Sequence, residues 1–148
     1  MAPDFQPWIT RIEDLRDAAA GVELRPGDVV LIRTGWGRYW HEAGRFFDTA
    51  RGIPGITVEA ATWLADRRVS MVGADTPGVE HISQLAKFGA LPVHRLLLVD
   101  KGIHLLETAD LEELSAMAVR EFVFVATPLR LRGASGSPVR PLALVAVP

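Results

Sequence analysis

ITVEAATWLADRRVSMVGAD, residues 56–75, decides the fold. Ala60, Ala61, Leu64 and Ala65 fall on one face at helical spacing, which predicts a helix over Val58–Arg67. VSMVGAD, Val69–Asp75, then follows as a short run that is apolar at alternate and adjacent positions alike, the pattern of a strand buried on both faces. Upstream, the Pro and Gly of RPGD (Arg25–Asp28) turn the chain into DVVLIRTG, so Asp28–Thr34 reads as an earlier strand of the same kind. Strand, helix and strand in that order predict an α/β fold, a mixed sheet flanked by helices.

The flanks extend this pattern. TRIE (Thr10–Glu13) has the spacing of a capping box, and Ile12, Leu15 and Ala19 continue it as a helix ending near Gly21. The segment 36–51 carries Trp36, Tyr39, Trp40, Phe46 and Phe47 with no clear period, and is expected to be a long loop with one helical turn. Asp110 opens a helix bearing Leu111, Leu114 and Ala118; EFVFVATP and the closing LALVAVP read as strands on either side of the turn-rich GASGSP. Without repeats or a linker-sized polar tract, residues 1–148 are expected to form a single domain.

A chain of 148 residues with 49% hydrophobic composition can bury a sizeable core. Its formal net charge is −2 and its 16 basic residues are dispersed, so no footprint for a nucleic-acid backbone or an anionic membrane is seen, and a small-molecule partner is expected. The absence of cysteine excludes disulfides, thiolate metal sites and a cysteine nucleophile. With neither a basic leader before an apolar core nor the ~20 apolar residues of a membrane span, a cytoplasmic location is expected.

PVHRLLLVDKGIHLLE, residues 92–107, carries the most chemistry, because His94 and Glu107 bracket an apolar run. Two geometries fit it. A hairpin turning at Asp100 and Lys101 sets His94 opposite Glu107; alternatively, HRLLLV is a short helix opened by His94 and only IHLLE is a strand. His104 has the wrong parity to share a site with Glu107 and suits a core or edge position, whereas His41 and His81 lie in polar, loop-like segments. Asp75 follows a buried strand, where ligands tend to bind in α/β sheets, and also suits a turn or cap before Pro77. Glu80 and His81 are adjacent and do not face each other on a regular element. Ser135 and Ser137 lack the surroundings of an activated nucleophile. Candidate substrate contacts are Asp75, His81 and Ser137, with no catalytic residue assigned.

Taken in order, GDVVLIRTGW, PGITVEAATWLADRRVSMVGADTPGVE, PVHRLLLVDKGIHLLETADLEEL and EFVFVATPLRLRGASGSPVRPLAL resemble the C-terminal half of the cyclase family of metal-dependent hydrolases, from about Ile9 to Val147. That family includes bacterial kynurenine formamidase and isatin hydrolase. The resemblance implies a swivelling β/β/α fold, N-terminally truncated here. It also implies hydrolysis of an amide or cyclic amide C–N bond at a divalent metal, zinc or manganese, with His94 and Glu107 among the ligands. Family members carry His-x-Gly-Thr-His-x-Asp-x-Pro near the N-terminus, and no histidine precedes Asp28 here. The expectation is therefore an incomplete hydrolase that contributes His94 and Glu107 to a site completed by an N-terminal segment or another subunit. The alternative is a non-catalytic binding or assembly module on the same scaffold, using the aromatic segment 36–51. Either way a homo-oligomer is expected.

Overall fold

A computed structural model describes residues 9–82 and 90–146. The chain divides into two compact units, Met1–Glu112 and Glu113–Pro148. In chain order the elements are β1 (Ile9–Thr10), α1 (Ile12–Ala18), β2 (Val29–Ile32), α2 (Ala43–Phe46), β3 (Gly55–Ile56), α3 (Val58–Asp66), β4 (Met71–Ala74), α4 (Pro92–His94), β5 (His104–Leu106), α5 (Glu112–Ala116), β6 (Val123–Val125) and β7 (Leu142–Leu144). A 3₁₀ turn, Trp36–Tyr39, precedes α2, and a π-helical segment, Arg95–Asp100, continues α4.

The first unit is organised as its central sequence predicts. β2 and β4 pair in parallel from Val29↔Met71 to Ile32↔Ala74, and α3 makes the crossover between them. Thr57 caps α3 by accepting the Ala60 N–H at 3.2 Å, and the helix buries Ala60, Ala61, Trp63, Leu64 and Ala65. These join Val72 and Ala74 of β4, together with Val93, Leu97 and Ile103, in one apolar core. β4 is central because β5 pairs in parallel along its other edge, Met71↔His104 to Gly73↔Leu106. A strand flanked on both sides and covered by helices is buried on both faces, which is why its sequence shows no alternation.

Three local expectations are revised. The helix cap moves one residue along: the Arg11 N–H donates to Asp14 at 2.7 Å, and Thr10 is taken into β1, paired with Ile56 of β3. In the segment 92–107 the helical alternative holds, a short helix followed by a strand, and the hairpin is overturned. Pro92 opens a helix at its first position, a site where proline's missing N–H costs nothing, and the π segment buries Leu97; β5 pairs with β4 and not back onto residues 94–99. The aromatic segment holds two short helical turns. Trp36 and Phe46 are buried there, with the Trp36 indole N–H donating to the Phe46 carbonyl at 3.1 Å, while Trp40 and Phe47 are exposed.

In the second unit β6 and β7 form an antiparallel ribbon, Val123↔Leu144 to Val125↔Leu142. Parallel and antiparallel pairing are both present, with helices alongside, as the α/β reading of a mixed sheet flanked by helices expects. Among the described residues no helix is long and apolar enough to cross a membrane.

Candidate functional site

The carboxyl edge of the parallel sheet assembles the site. Beyond β4 the chain runs from Asp75 to Ile82 beside β3: the Ile56 N–H donates to the Val79 carbonyl at 3.0 Å, and Ile53 and Ile82 exchange backbone bonds. Gly55 permits this approach, since a Cβ there would lie 2.2 Å from the Glu80 carbonyl carbon. Glu80 is thereby buried, 3% exposed, with its carboxylate at the start of α4. It accepts the Val93 N–H at 2.9 Å through Oε1, and its Oε2 lies 2.8 Å from His94 Nδ1. Glu107 follows the last residue of β5 and meets the other ring nitrogen, Oε1 to Nε2, at 3.1 Å. The result is a carboxylate–imidazole–carboxylate row that grades outward from buried Glu80 to half-exposed Glu107.

The hydrogen bonds to Glu107 and then to Glu80 raise the His94 pKa to about 9 against the opposing effect of burial. At neutral pH His94 is an imidazolium that donates from both nitrogens. A folded-state value above the ordinary 6.5 means that this contribution to stability is complete below pH 6.5 and is lost as pH rises through about 9. After discounting for solvent that reaches the ring, it amounts to about 1–2 kcal/mol. Thermal melts of wild type and His94→Gln from pH 6 to pH 10 should converge toward high pH; parallel curves would refute the assignment.

Asp75, 1% exposed, uses both oxygens on the loop after β2: Oδ1 accepts the Thr34 N–H (2.8 Å) and hydroxyl (2.7 Å), and Oδ2 accepts the N–H groups of Gly35 (2.8 Å) and Gly37 (3.3 Å). This makes it the anchor of that loop. His81 is half-buried; burial holds its pKa below the ordinary value against a weaker opposing effect from the Ile53 backbone, and its Nδ1 is buried with no hydrogen-bond partner among the described residues. Ser137 belongs to the second unit, where its hydroxyl accepts the Leu129 N–H at 3.0 Å within an exposed turn. His41 is exposed, and so is His104 on the edge strand β5.

The structure thus brings His94 and Glu107 together and adds Glu80, for which the sequence offered only an adjacent His81 that it does not face. The available signal was a carboxylate closing the apolar context TPGVE, directly before His81. The zinc or manganese centre is corrected. Among the described residues no group of three or more His, Cys, Asp or Glu could hold a metal ion. Glu80 and Glu107 sit at opposite ring nitrogens of His94, so the three do not converge on one point, and Asp75 is committed to backbone donors.

Comparisons with known proteins agree with this fold. Residues 2–81 match the family model described as putative cyclase. Isatin hydrolase of Roseibium aggregatum is 29% identical over 126 residues, 83% of this chain and 47% of that protein. Kynurenine formamidase of Bacillus cereus is 32% identical over 88 residues, 60% of this chain and 38% of that protein. A crystal structure of a novel cyclase superposes with a TM-score of 0.82 at 35% identity, covering 93% of this chain and 47% of that one. The chain therefore spans about half the length, or less, of the relatives it matches. The family match over residues 2–81 overturns the expectation of a C-terminal half, N-terminally truncated, because the N-terminal region of this chain itself carries the family signal.

Proposed function

The chain belongs to the putative cyclase family, and on that premise we propose that it hydrolyses the C–N bond of an amide or cyclic amide, with aryl formamides and isatin-like lactams as the substrate class. The observation that carries this proposal is the Glu80–His94–Glu107 row, and the names of the relatives, isatin hydrolase and kynurenine formamidase, support the substrate class.

In the proposed reaction Glu107, the solvent-facing carboxylate, takes a proton from a water molecule whose oxygen attacks the carbonyl carbon. Negative charge develops on the carbonyl oxygen, and the Nε2–H of the His94 imidazolium turns from Glu107 to donate to it. The C–N bond then breaks. The proton held by Glu107 passes to the leaving nitrogen, giving a carboxylic acid and an amine with atoms and charge in balance. Glu80 touches no substrate; it fixes the ring through Nδ1 and maintains its charge, a positioning role.

The test is an assay of purified protein with N-formylkynurenine and with isatin across pH. Turnover should fall as pH rises through about 9, where His94 loses the donated proton. A rate that climbs steadily through that range, or no turnover of either compound, would overturn the proposal.

A further inference from the structure

Building on the hydrolase proposal, we infer that Gly78 sets the size of the acyl group this site accepts, by leaving a methyl-sized space against His94 and Glu107. A Cβ at Gly78 would meet Ile82 Cδ1 at 3.4 Å, His94 Cε1 at 3.8 Å and Glu107 Oε1 at 3.9 Å, all ordinary contact distances. Its backbone is not in the left-handed region that selects glycine at Gly35 or Gly102. Nor is glycine forced by crowding, as it is at Gly55, where an added Cβ would overlap the Glu80 backbone at 2.2 Å. Alanine fits position 78 by conformation and by volume, and it would restrict the unfolded chain more than glycine does. The bare position therefore matters for the space it leaves, and that space is bounded by the two side chains that carry the proposed chemistry.

The wall cannot easily retreat. The Thr76 hydroxyl donates to the Gly78 carbonyl, and the next carbonyl, Val79, accepts the Ile56 N–H at 3.0 Å. In the inferred pose, the substrate carbonyl is directed at His94 Nε2 with water at Glu107, and of the two substituents left on the acyl carbon the leaving nitrogen faces solvent and the other faces Gly78. In an aryl formamide that substituent is hydrogen; in an isatin-like lactam it is the second ring carbonyl carbon. A methyl at position 78 leaves room for the first and crowds the second.

The experiment compares formanilide with isatin in wild type and Gly78→Ala. In the variant kcat/KM for formanilide should stay within about threefold, while that for isatin falls at least about tenfold, the discrimination typical of one methyl group in a pocket. Equal falls on both compounds, or no change on either, would overturn the inference. If Gly78→Ala melts early, Gly78→Ala/Ile82→Val removes the nearest contact and must show the same selectivity. If the wild type turns over neither compound, the hydrolase proposal fails separately, and binding followed by the NMR signal of the His94 Cε1–H decides. Retention of formanilide with loss of isatin in the variant sustains the acyl-size wall; equal affinities, or no binding of either to the wild type, overturns it.

Discussion

Asp75→Ala is expected to lose about 3–5 kcal/mol of stability, because it strands one buried and three part-buried donors at once and each orphaned donor costs about 1–3 kcal/mol. The four bonds are not equal. The Gly37 N–H is already distant at 3.3 Å, and the Thr34 hydroxyl, part-buried and accepting the Trp36 N–H at 3.1 Å, can rotate its own hydrogen elsewhere. The Thr34 and Gly35 N–H groups, each 2.8 Å from the carboxylate, have no such relief in the hydrogen bonds they make and set the size of the effect. Since a domain's whole stability is about 5–15 kcal/mol, the variant should be close to unfolding at physiological temperature. Urea denaturation should show a lower midpoint with an unchanged slope. Asp75→Asn should fall between, because its amide keeps one acceptor and turns an NH₂ toward donors. An Asp75→Ala midpoint within about 1 kcal/mol of wild type would mean that the loop finds other acceptors and that Asp75 is not its anchor.

The contrast between what could and could not be read from the sequence has a physical cause. α3 and β4 were legible because each is decided by its own residues: Ala60, Ala61, Leu64 and Ala65 define a face, and Val72 to Ala74 are apolar throughout. The capping box at Thr10 failed because a tertiary contact, pairing with Ile56, took that residue into a strand and shifted the cap to Arg11 and Asp14. The π segment 95–100 has no local code that separates it from a strand of the same apolar residues; burial of Leu97 and the open edge of β4 decide between them. Of the site, His94 and Glu107 were legible as a pair and Glu80 was not. Its approach to His94 depends on the chain after β4 lying against Gly55, a contact between residues 25 positions apart in sequence for Gly55 and Glu80. The metal expectation failed because residue types alone do not say which side of an imidazole each carboxylate occupies.

In the proposed hydrolysis, the largest effect on activity is expected at His94 and Glu107. His94→Ala should lower kcat about 10²–10³-fold, the usual consequence of removing one donor to a developing oxyanion. Glu107→Gln should lower it about 10²–10⁴-fold, the contribution of a general base. Combining them should cost far less than the product of the two, because each acts only through the same transition state. Glu80→Gln separates positioning from mere support of the fold. The amide oxygen still accepts the Val93 N–H, so α4 should remain in place, but the charge beside Nδ1 is gone. With one of its two carboxylate partners neutral, His94 should titrate below about 9, so the falling limb of the pH–rate profile moves toward the ordinary histidine value of 6.5. A variant that was only loosened would lose rate at every pH without moving that limb. If Glu80→Gln keeps the wild-type limb, Glu80 does not act through His94. If His94→Ala retains activity within about threefold, the donor assignment fails and the row is structural.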